Sequence, residues 1–86
     1  MLRPVPKNPI QTIDPQLLFA TNMRRVRLSK QLTQEKVAEY AELHVNYISS
    51  VERGERNISI QNVYKIALAL GSSMPELLSS ETDEAS

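Results

Sequence analysis

Cysteine is absent from this 86-residue chain, and histidine occurs once. Without cysteine, the chain has no disulfide framework, no thiolate metal ligand and no cysteine nucleophile, which suits the reducing cytosol. No apolar run approaches the length of a membrane helix, and the N-terminus lacks the apolar core of a signal peptide. These absences predict a cytoplasmic protein without a membrane partner, a metal site, a cofactor or a small-molecule ligand.

A net charge is also lacking, because 10 lysines and arginines balance 10 aspartates and glutamates. The total charge therefore gives no reason to expect a nucleic-acid partner. The charges are nevertheless polarised along the chain, with a basic first half and an acidic end. The basic cluster contains Arg24, Arg25, Arg27 and Lys30, and the acidic end contains Glu76, Glu81, Asp83 and Glu84. Taken alone, such a cluster is more typical of an ordinary solvated helix face than of a binding surface.

Proline is concentrated in "RPVPKNP" (Arg3–Pro9), where it prevents a helix and favours extended backbone. We therefore predict a proline-rich arm over residues 1–13. One domain is expected over residues 14–80, because the length of the chain fits a single small domain. An acidic, flexible tail is expected over residues 81–86.

Capping and stop signals divide the domain into five short helices. The candidate N-caps are Asp14, Thr33, Ser59 and Ser73, and a further helix begins near His44 or Val45. Gly54 and Gly71 are placed to end the third and fourth helices. Apolar residues recur at helical spacing, and no stretch alternates as a strand would. The predicted fold class is all-α, a compact five-helix bundle.

The second and third helices show a pattern of their own over residues 34–53, "QEKVAEYAELHVNYISSVER". About three residues join two helices of about eight residues each, and Ala38 supplies a small residue where their backbones cross. Leu43 can close the turn and form a hydrophobic staple with Ile48. Ile48 and Val51 form a narrow apolar stripe, which leaves most of the third helix uncovered. This arrangement is typical of a helix-turn-helix, whose second helix lies in the DNA major groove.

Four segments together carry a family resemblance: "LTQ" (32–34), "VA" (37–38), "ISSVERG" (48–54) and "IALAL" (66–70). Over about residues 19–78 the chain resembles the phage-repressor-like, or XRE, family of helix-turn-helix regulators. It looks most like the controller proteins of restriction–modification systems. The resemblance implies a lambda-repressor-like domain and a sequence-specific transcriptional regulator of double-stranded DNA. It implies a homodimer on a palindromic operator, with its own promoter or a restriction–modification system as the target.

Two positions depart from the family pattern. Glu42, in the turn after the second helix, and Gln31, before the second helix, stand where the family often has glycine. Glycine is favoured there because it adopts a positive φ without steric cost. A residue other than glycine can still occupy this region at a cost of about 1 kcal/mol, so the departures bear on the geometry of the turns more than on the fold.

The outward residues of the third helix are the candidates for contact with DNA bases. Asparagine can pair with adenine through two hydrogen bonds, serine can bond several base edges, and valine can pack on a thymine methyl group. The resemblance assigns the same role to several of them. The predicted base-contacting residues are Val45, Asn46, Ser49, Ser50 and His44. The alternative for the set is simple solvent exposure, and the alternative for His44 is a weak helix cap. No arginine lies among them, so we expect A·T-rich or shape-dependent half-sites.

A second set is assigned to phosphates, which fix the register of a protein on DNA without reading its sequence. The resemblance places the Gln34 side chain on a phosphate, and a helix N-terminus also favours an anion. The predicted phosphate-binding residues are Gln34, Tyr47, Arg53, Arg56 and Asn57. The alternatives are a plain surface position for Gln34 and partial packing under the arm for Tyr47.

Two further groups are assigned structural roles. Arg27 and Glu52 resemble the internal ion pair of the family, which joins the first helix to the end of the third. For the homodimer we predict a face on the fourth and fifth helices. The apolar residues of that face are Met74, Leu77 and Leu78. The alternative for these three is that they only close the bundle.

Two other classes of function were weighed against the regulator. An antitoxin or adaptor could use the same fold to cover a protein partner, with the arm and the tail as binding segments. An enzyme is disfavoured, because the chain has one histidine, no cysteine, no glycine-rich phosphate loop and no paired metal-ligand motif. The sequence therefore predicts a non-enzymatic DNA-binding protein.

Overall fold

The computed structural model describes residues 14–80, which form five α-helices and, within that range, no strand. The helices are α1 (Pro15–Ser29), α2 (Gln34–Ala41), α3 (Val45–Glu52), α4 (Ile60–Leu70) and α5 (Met74–Leu78). The prediction of an all-α, five-helix domain is confirmed. The predicted arm (1–13) and acidic tail (81–86) lie outside the described residues. Among the described helices, none is long and apolar enough to cross a membrane.

Each helix is preceded by an N-cap residue whose side chain accepts a hydrogen bond from a backbone N–H of the first turn. The five caps are Asp14, Thr33, His44, Ser59 and Ser73. Ser73 also forms a reciprocal capping box with Glu76. His44 caps α3 through Nδ1, which accepts from the Asn46 N–H at 3.1 Å. The sequence left this role of His44 open, and the structure shows it.

Within residues 14–80, four residues adopt a left-handed backbone conformation in the turns. Gln31 (φ 60°) and Glu42 (φ 58°) do so without being glycine, so both turns have the conformation that glycine would favour. Glu42 is the C-cap of α2, and its conformation reverses the chain towards α3. Gly54 (φ 74°) follows α3, and a Cβ there would collide with the Leu17 side chain of α1. The close approach of α1 to the end of α3 therefore requires glycine at this position.

The core lies between all five helices, and α2 contributes Val37, Ala38 and Ala41 to it where it packs on α3 and α4. Its largest fully buried side chains include Phe19, Met23, Ile48, Ile66, Leu70 and Leu77. The predicted inner stripe of α3 is buried, with Ile48 0 % and Val51 2 % exposed. Two polar side chains hold helix ends to this core. Asn22 donates to the carbonyls of Leu77 and Ser79 at 2.9 and 3.0 Å, and Lys30 donates to that of Leu70 at 2.6 Å.

Leu77 differs from its predicted position on a dimer face. Its side chain is 0 % exposed and belongs to the core of the single chain. The carbonyl bonds from Asn22 hold the end of α5 against α1, so this leucine points inward. For Leu77, the alternative interpretation of closing the bundle is the correct one.

Candidate nucleic-acid interface

The turn between α2 and α3 is built from the residues that the pattern singled out. Ala38 is 5 % exposed, and its carbonyl accepts from the Leu43 N–H at 3.0 Å. Leu43 packs on the core, and Glu42 supplies the left-handed residue between the helices. The turn therefore fixes where α3 begins relative to α2.

A buried ion pair fixes the other end of α3. Arg27 of α1 donates to Glu52 through Nε at 2.5 Å and through Nη2 at 3.0 Å. Gln34 of α2 donates to the same carboxylate at 3.0 Å, and Arg27 also donates to the Leu32 carbonyl at 2.9 Å. The Glu52 side chain is 1 % exposed. One carboxylate therefore joins three helices, and its charge does not reach the outer surface of α3.

Gln34 was predicted as a phosphate contact and lies at the first position of α2. Its bond to Glu52 uses one hydrogen of the side-chain amide, which carries two. Gln34 is half-buried, so the structure places it between the ion pair and the surface.

The exposed side of α3 retains part of the predicted base-contacting set. His44 and Asn46 are exposed, while Val45 and Ser49 are half-buried. Ser50 differs from its prediction, because it is only 5 % exposed. The loop after α3 folds back over it. The Glu55 N–H bonds the Ser50 carbonyl at 3.0 Å, and Arg56 covers the hydroxyl. Helical periodicity alone could not predict that the loop after α3 buries Ser50.

Arg56 and Tyr47 belong to one cluster beside α3. The Arg56 guanidinium lies 5.6 Å from the centre of the Tyr47 ring and donates through Nε to the Ser50 hydroxyl at 2.9 Å. Asn62 of α4 donates to the Tyr47 hydroxyl at 3.0 Å. The sequence did not single out Asn62. No motif marks it, since its role depends on how α4 packs beside α3.

A second cluster surrounds Arg53. Its guanidinium donates to the Ser49 hydroxyl at 2.6 Å and to both carboxylate oxygens of Glu55 at 3.1 Å. The hydrogen bond from Arg53 holds the pKa of the exposed Glu55 carboxyl below its usual value, and Glu55 raises the pKa of Arg53. Glu55 was not predicted, and it places a negative charge beside a predicted phosphate contact.

Asn57 is exposed in the loop that joins α3 to α4. The exposed end of α3 therefore carries polar and basic groups from both the helix and this loop. Among residues 14–80, no group of three or more histidine, aspartate and glutamate side chains is placed to hold a metal ion. The arrangement offers hydrogen-bond donors, which suit an anionic or polar surface.

A helix-turn-helix family model matches residues 23–77, which span α2, α3 and most of the remaining fold. The chain belongs to the helix-turn-helix family. The family predicted from the sequence is therefore confirmed, as is its helix-turn-helix fold.

Individual relatives indicate which helix-turn-helix proteins this chain is similar to. The chain is 49 % identical over 63 residues to control protein C.BamHI of Bacillus amyloliquefaciens, which covers 72 % of this chain and 78 % of the relative. The crystal structure of the restriction–modification controller protein C.AhdI from Aeromonas hydrophila matches with a TM-score of 0.70 and 39 % identity. That match covers 72 % of this chain and 94 % of C.AhdI. The predicted similarity to controller proteins is confirmed.

A third structure contains DNA. The controller protein C.Esp1396I was solved as a tetramer in complex with its natural 35-base-pair operator. It matches with a TM-score of 0.66 and 29 % identity, over 74 % of this chain and 95 % of that one. This helix-turn-helix chain is thus similar in fold to a protein that binds operator DNA as an oligomer.

Proposed function

We propose that this helix-turn-helix protein is a sequence-specific transcriptional regulator that binds double-stranded DNA and has no catalytic role. The carrying observation is the position of α3. Its inner stripe and Glu52 are buried, while the side with Asn46 is exposed. A helix held in this way can enter a major groove without losing its packing. The relatives named as controller proteins support this function. We propose that the protein acts in the cytoplasm.

The exposed groups divide between bases and phosphates. Val45, Asn46, Ser49 and His44 lie on or before the first turns of α3 and face the bases. Phosphate contacts come from Gln34, Tyr47, Arg53, Arg56 and Asn57. Ser50 leaves the base-contacting set, because its hydroxyl is buried and bonded to Arg56.

The protein acts as a homodimer on a palindromic operator, with its two α3 helices in successive major grooves about 34–36 Å apart. The structure favours an α4 face for the dimer. Ile60, Tyr64 and Leu68, spaced four residues apart, form an apolar row that we term the α4 stripe. They are 65, 53 and 63 % exposed. Met74 lines the same surface, and Leu78, which is 43 % exposed, lines a neighbouring groove that shares Ile60 with it. Of the three predicted dimer residues, Met74 and Leu78 therefore stay in the proposal, joined by the α4 stripe.

The division between base and phosphate contacts predicts different effects for two alanine variants. Asn46→Ala should lose about 1–3 kcal/mol of discrimination between operator and unrelated DNA, or roughly 5- to 150-fold, since a bidentate base contact has that value. Arg56→Ala should weaken binding to both DNAs alike and lower the slope of log K against log salt by about 0.9. Fluorescence anisotropy titrations at several salt concentrations measure both quantities. The operator is the segment protected in footprinting of the DNA upstream of the protein's own gene.

Equal effects of the two variants on specificity would contradict this division of contacts. If the wild-type protein protects no upstream segment and binds no duplex at low salt, the proposed function itself is wrong. Thr21→Ala is a suitable control, because Thr21 is exposed on α1 and lies outside both sets and outside the α4 stripe.

Removing Glu55 should strengthen DNA binding. The Glu55 carboxylate is charged at neutral pH, as glutamate ordinarily is, so it repels phosphate and occupies the Arg53 guanidinium. In Glu55→Ala, Arg53 can donate to a phosphate, and the salt slope should become steeper by about 0.9. We expect binding several-fold tighter at low salt, measured by the same titrations.

Glu39→Gln is the matched control for this variant. Glu39 also pairs with a basic residue on an exposed surface, at 3.3 Å from Lys36, but on α2 away from the α3 loop. It should change the salt slope little. An unchanged or weaker affinity for Glu55→Ala would show that Arg53 does not contact phosphate.

A further inference from the structure

Arg56 is held in a defined position before any DNA is bound. Its Nε donates to the Ser50 hydroxyl at 2.9 Å, and its guanidinium lies over the Tyr47 ring. Ser50 is buried and donates in turn to the Tyr47 carbonyl at 2.8 Å, so its hydroxyl is fixed on both sides. Because Nε is occupied, the two terminal nitrogens form the end of Arg56 that faces outward.

Tyr47 is held by a residue from another helix. Asn62, in the first turn of α4, donates through its side-chain amide to the Tyr47 hydroxyl at 3.0 Å. A phenol that accepts one hydrogen bond still has its own hydrogen to donate. The bond therefore orients Tyr47 without consuming the hydrogen that a phosphate would accept.

From this chain of contacts we infer that Asn62 is a positioning residue for DNA binding, which acts through Tyr47 on Arg56. The inference rests on the proposed function and adds a residue to it from outside the helix-turn-helix. Loss of the Asn62 amide leaves the Tyr47 ring without its outer anchor. The ring then no longer supports the guanidinium, and Arg56 loses its orientation and binds phosphate at a greater entropic cost.

The helix-capping role of this position can be separated from the side-chain role. Asn62 also takes part in the start of α4, but through its backbone N–H, which donates to the Ser59 hydroxyl at 3.1 Å. A substitution at position 62 leaves that bond in place. Asn62→Leu keeps the branched shape of the side chain and removes its hydrogen-bonding groups, of which the amide donor is the one that contacts Tyr47.

The first test uses the full chain without DNA. In NMR spectra selective for arginine Nε–H groups, Arg56 should show restricted motion in the wild-type protein. Asn62→Leu should bring its order parameter close to that of an exposed arginine such as Arg24, while Gln61→Ala leaves it unchanged. An Arg56 signal that is equally restricted in Asn62→Leu would overturn the inference.

The second test uses a mixed-sequence duplex long enough to span two successive major grooves. Asn62→Leu should weaken binding about three- to tenfold without changing the melting temperature. In an Arg56→Ala background the same substitution should have a much smaller effect, limited to the Tyr47 contact, since residues that act through one contact are not additive. Tyr47→Phe, which keeps the ring but removes the acceptor, should abolish the effect of Asn62→Leu and tests the bond from its other side.

The outcomes separate the two proposals. Additive effects of Asn62→Leu and Arg56→Ala would overturn the positioning role while leaving DNA binding intact. If the wild-type protein binds no duplex, the proposed function fails and the positioning role in DNA binding fails with it. The NMR measurement then still shows whether Asn62 orders Arg56.

Discussion

Replacing Arg27 with alanine should lower the free energy of unfolding by about 3–5 kcal/mol, the usual cost of removing one partner of a buried ion pair. The Glu52 carboxylate would remain buried, with Gln34 as its remaining side-chain donor. The Leu32 carbonyl would also lose a donor. For a domain of this size the melting temperature should fall by more than about 12 °C, measured by circular dichroism.

Two variants make this result specific. Arg24→Ala, on the exposed side of the same helix, should change stability by less than about 0.5 kcal/mol. Arg27→Lys keeps the charge but loses the bidentate hydrogen bonds to Glu52, so its melting temperature should lie between those of wild type and Arg27→Ala. If Arg27→Ala melts at the wild-type temperature, the ion pair does not hold α3 in place.

Leu68→Glu should convert the proposed dimer into a monomer. Leu68 lies at the centre of the apolar surface formed by the α4 stripe and Met74. The new carboxylate would therefore be buried in the interface without a partner. Binding to a palindromic operator should weaken by at least about 100-fold, because the two α3 helices would no longer be linked. Light scattering after size-exclusion chromatography measures the mass, and anisotropy measures the affinity.

Leu28→Glu is the matched control for the dimer experiment. Leu28 is similarly exposed, at 51 % against 63 % for Leu68, but it lies on α1. It should leave both the mass and the affinity unchanged. A wild-type monomer at high micromolar concentration, or a dimer that persists in Leu68→Glu, would exclude the α4 stripe as the dimer face.

The fold was predictable because its determinants are local. Proline at position 15, the capping residues and Gly71 mark helix ends by their own backbone chemistry. The spacing of Ile48 and Val51 reveals which side of α3 is buried, since helical periodicity depends only on sequence. The left-handed conformation of Glu42 was less predictable, because glutamate carries no such backbone signal.

The interface was less predictable because its details depend on segments that meet only after folding. Ser50 lies on the outer side of α3 by periodicity, and only the returning loop buries it. Glu55 and Asn62 carry no motif, and their roles arise from Arg53 and Tyr47 nearby. Leu77 is apolar, as interface residues often are, but the bonds from Asn22 hold α5 so that this side chain points inward.

The two fixed ends of α3 also determine its rotation about its own axis. Leu43 packs on the core just before its first turn and Glu52 holds its last turn to Arg27, so each side chain has one direction relative to the bundle. One residue inserted between Asn46 and Ile48 would rotate Asn46 by about 100° relative to the buried stripe, at 3.6 residues per helical turn. On the proposed division of contacts, binding preference can change through substitutions at Val45, Asn46 and Ser49, while their spacing from Ile48 and Val51 must stay constant. The residues that hold α3 in the fold and those proposed to contact bases are in this sense separate sets on the same short helix.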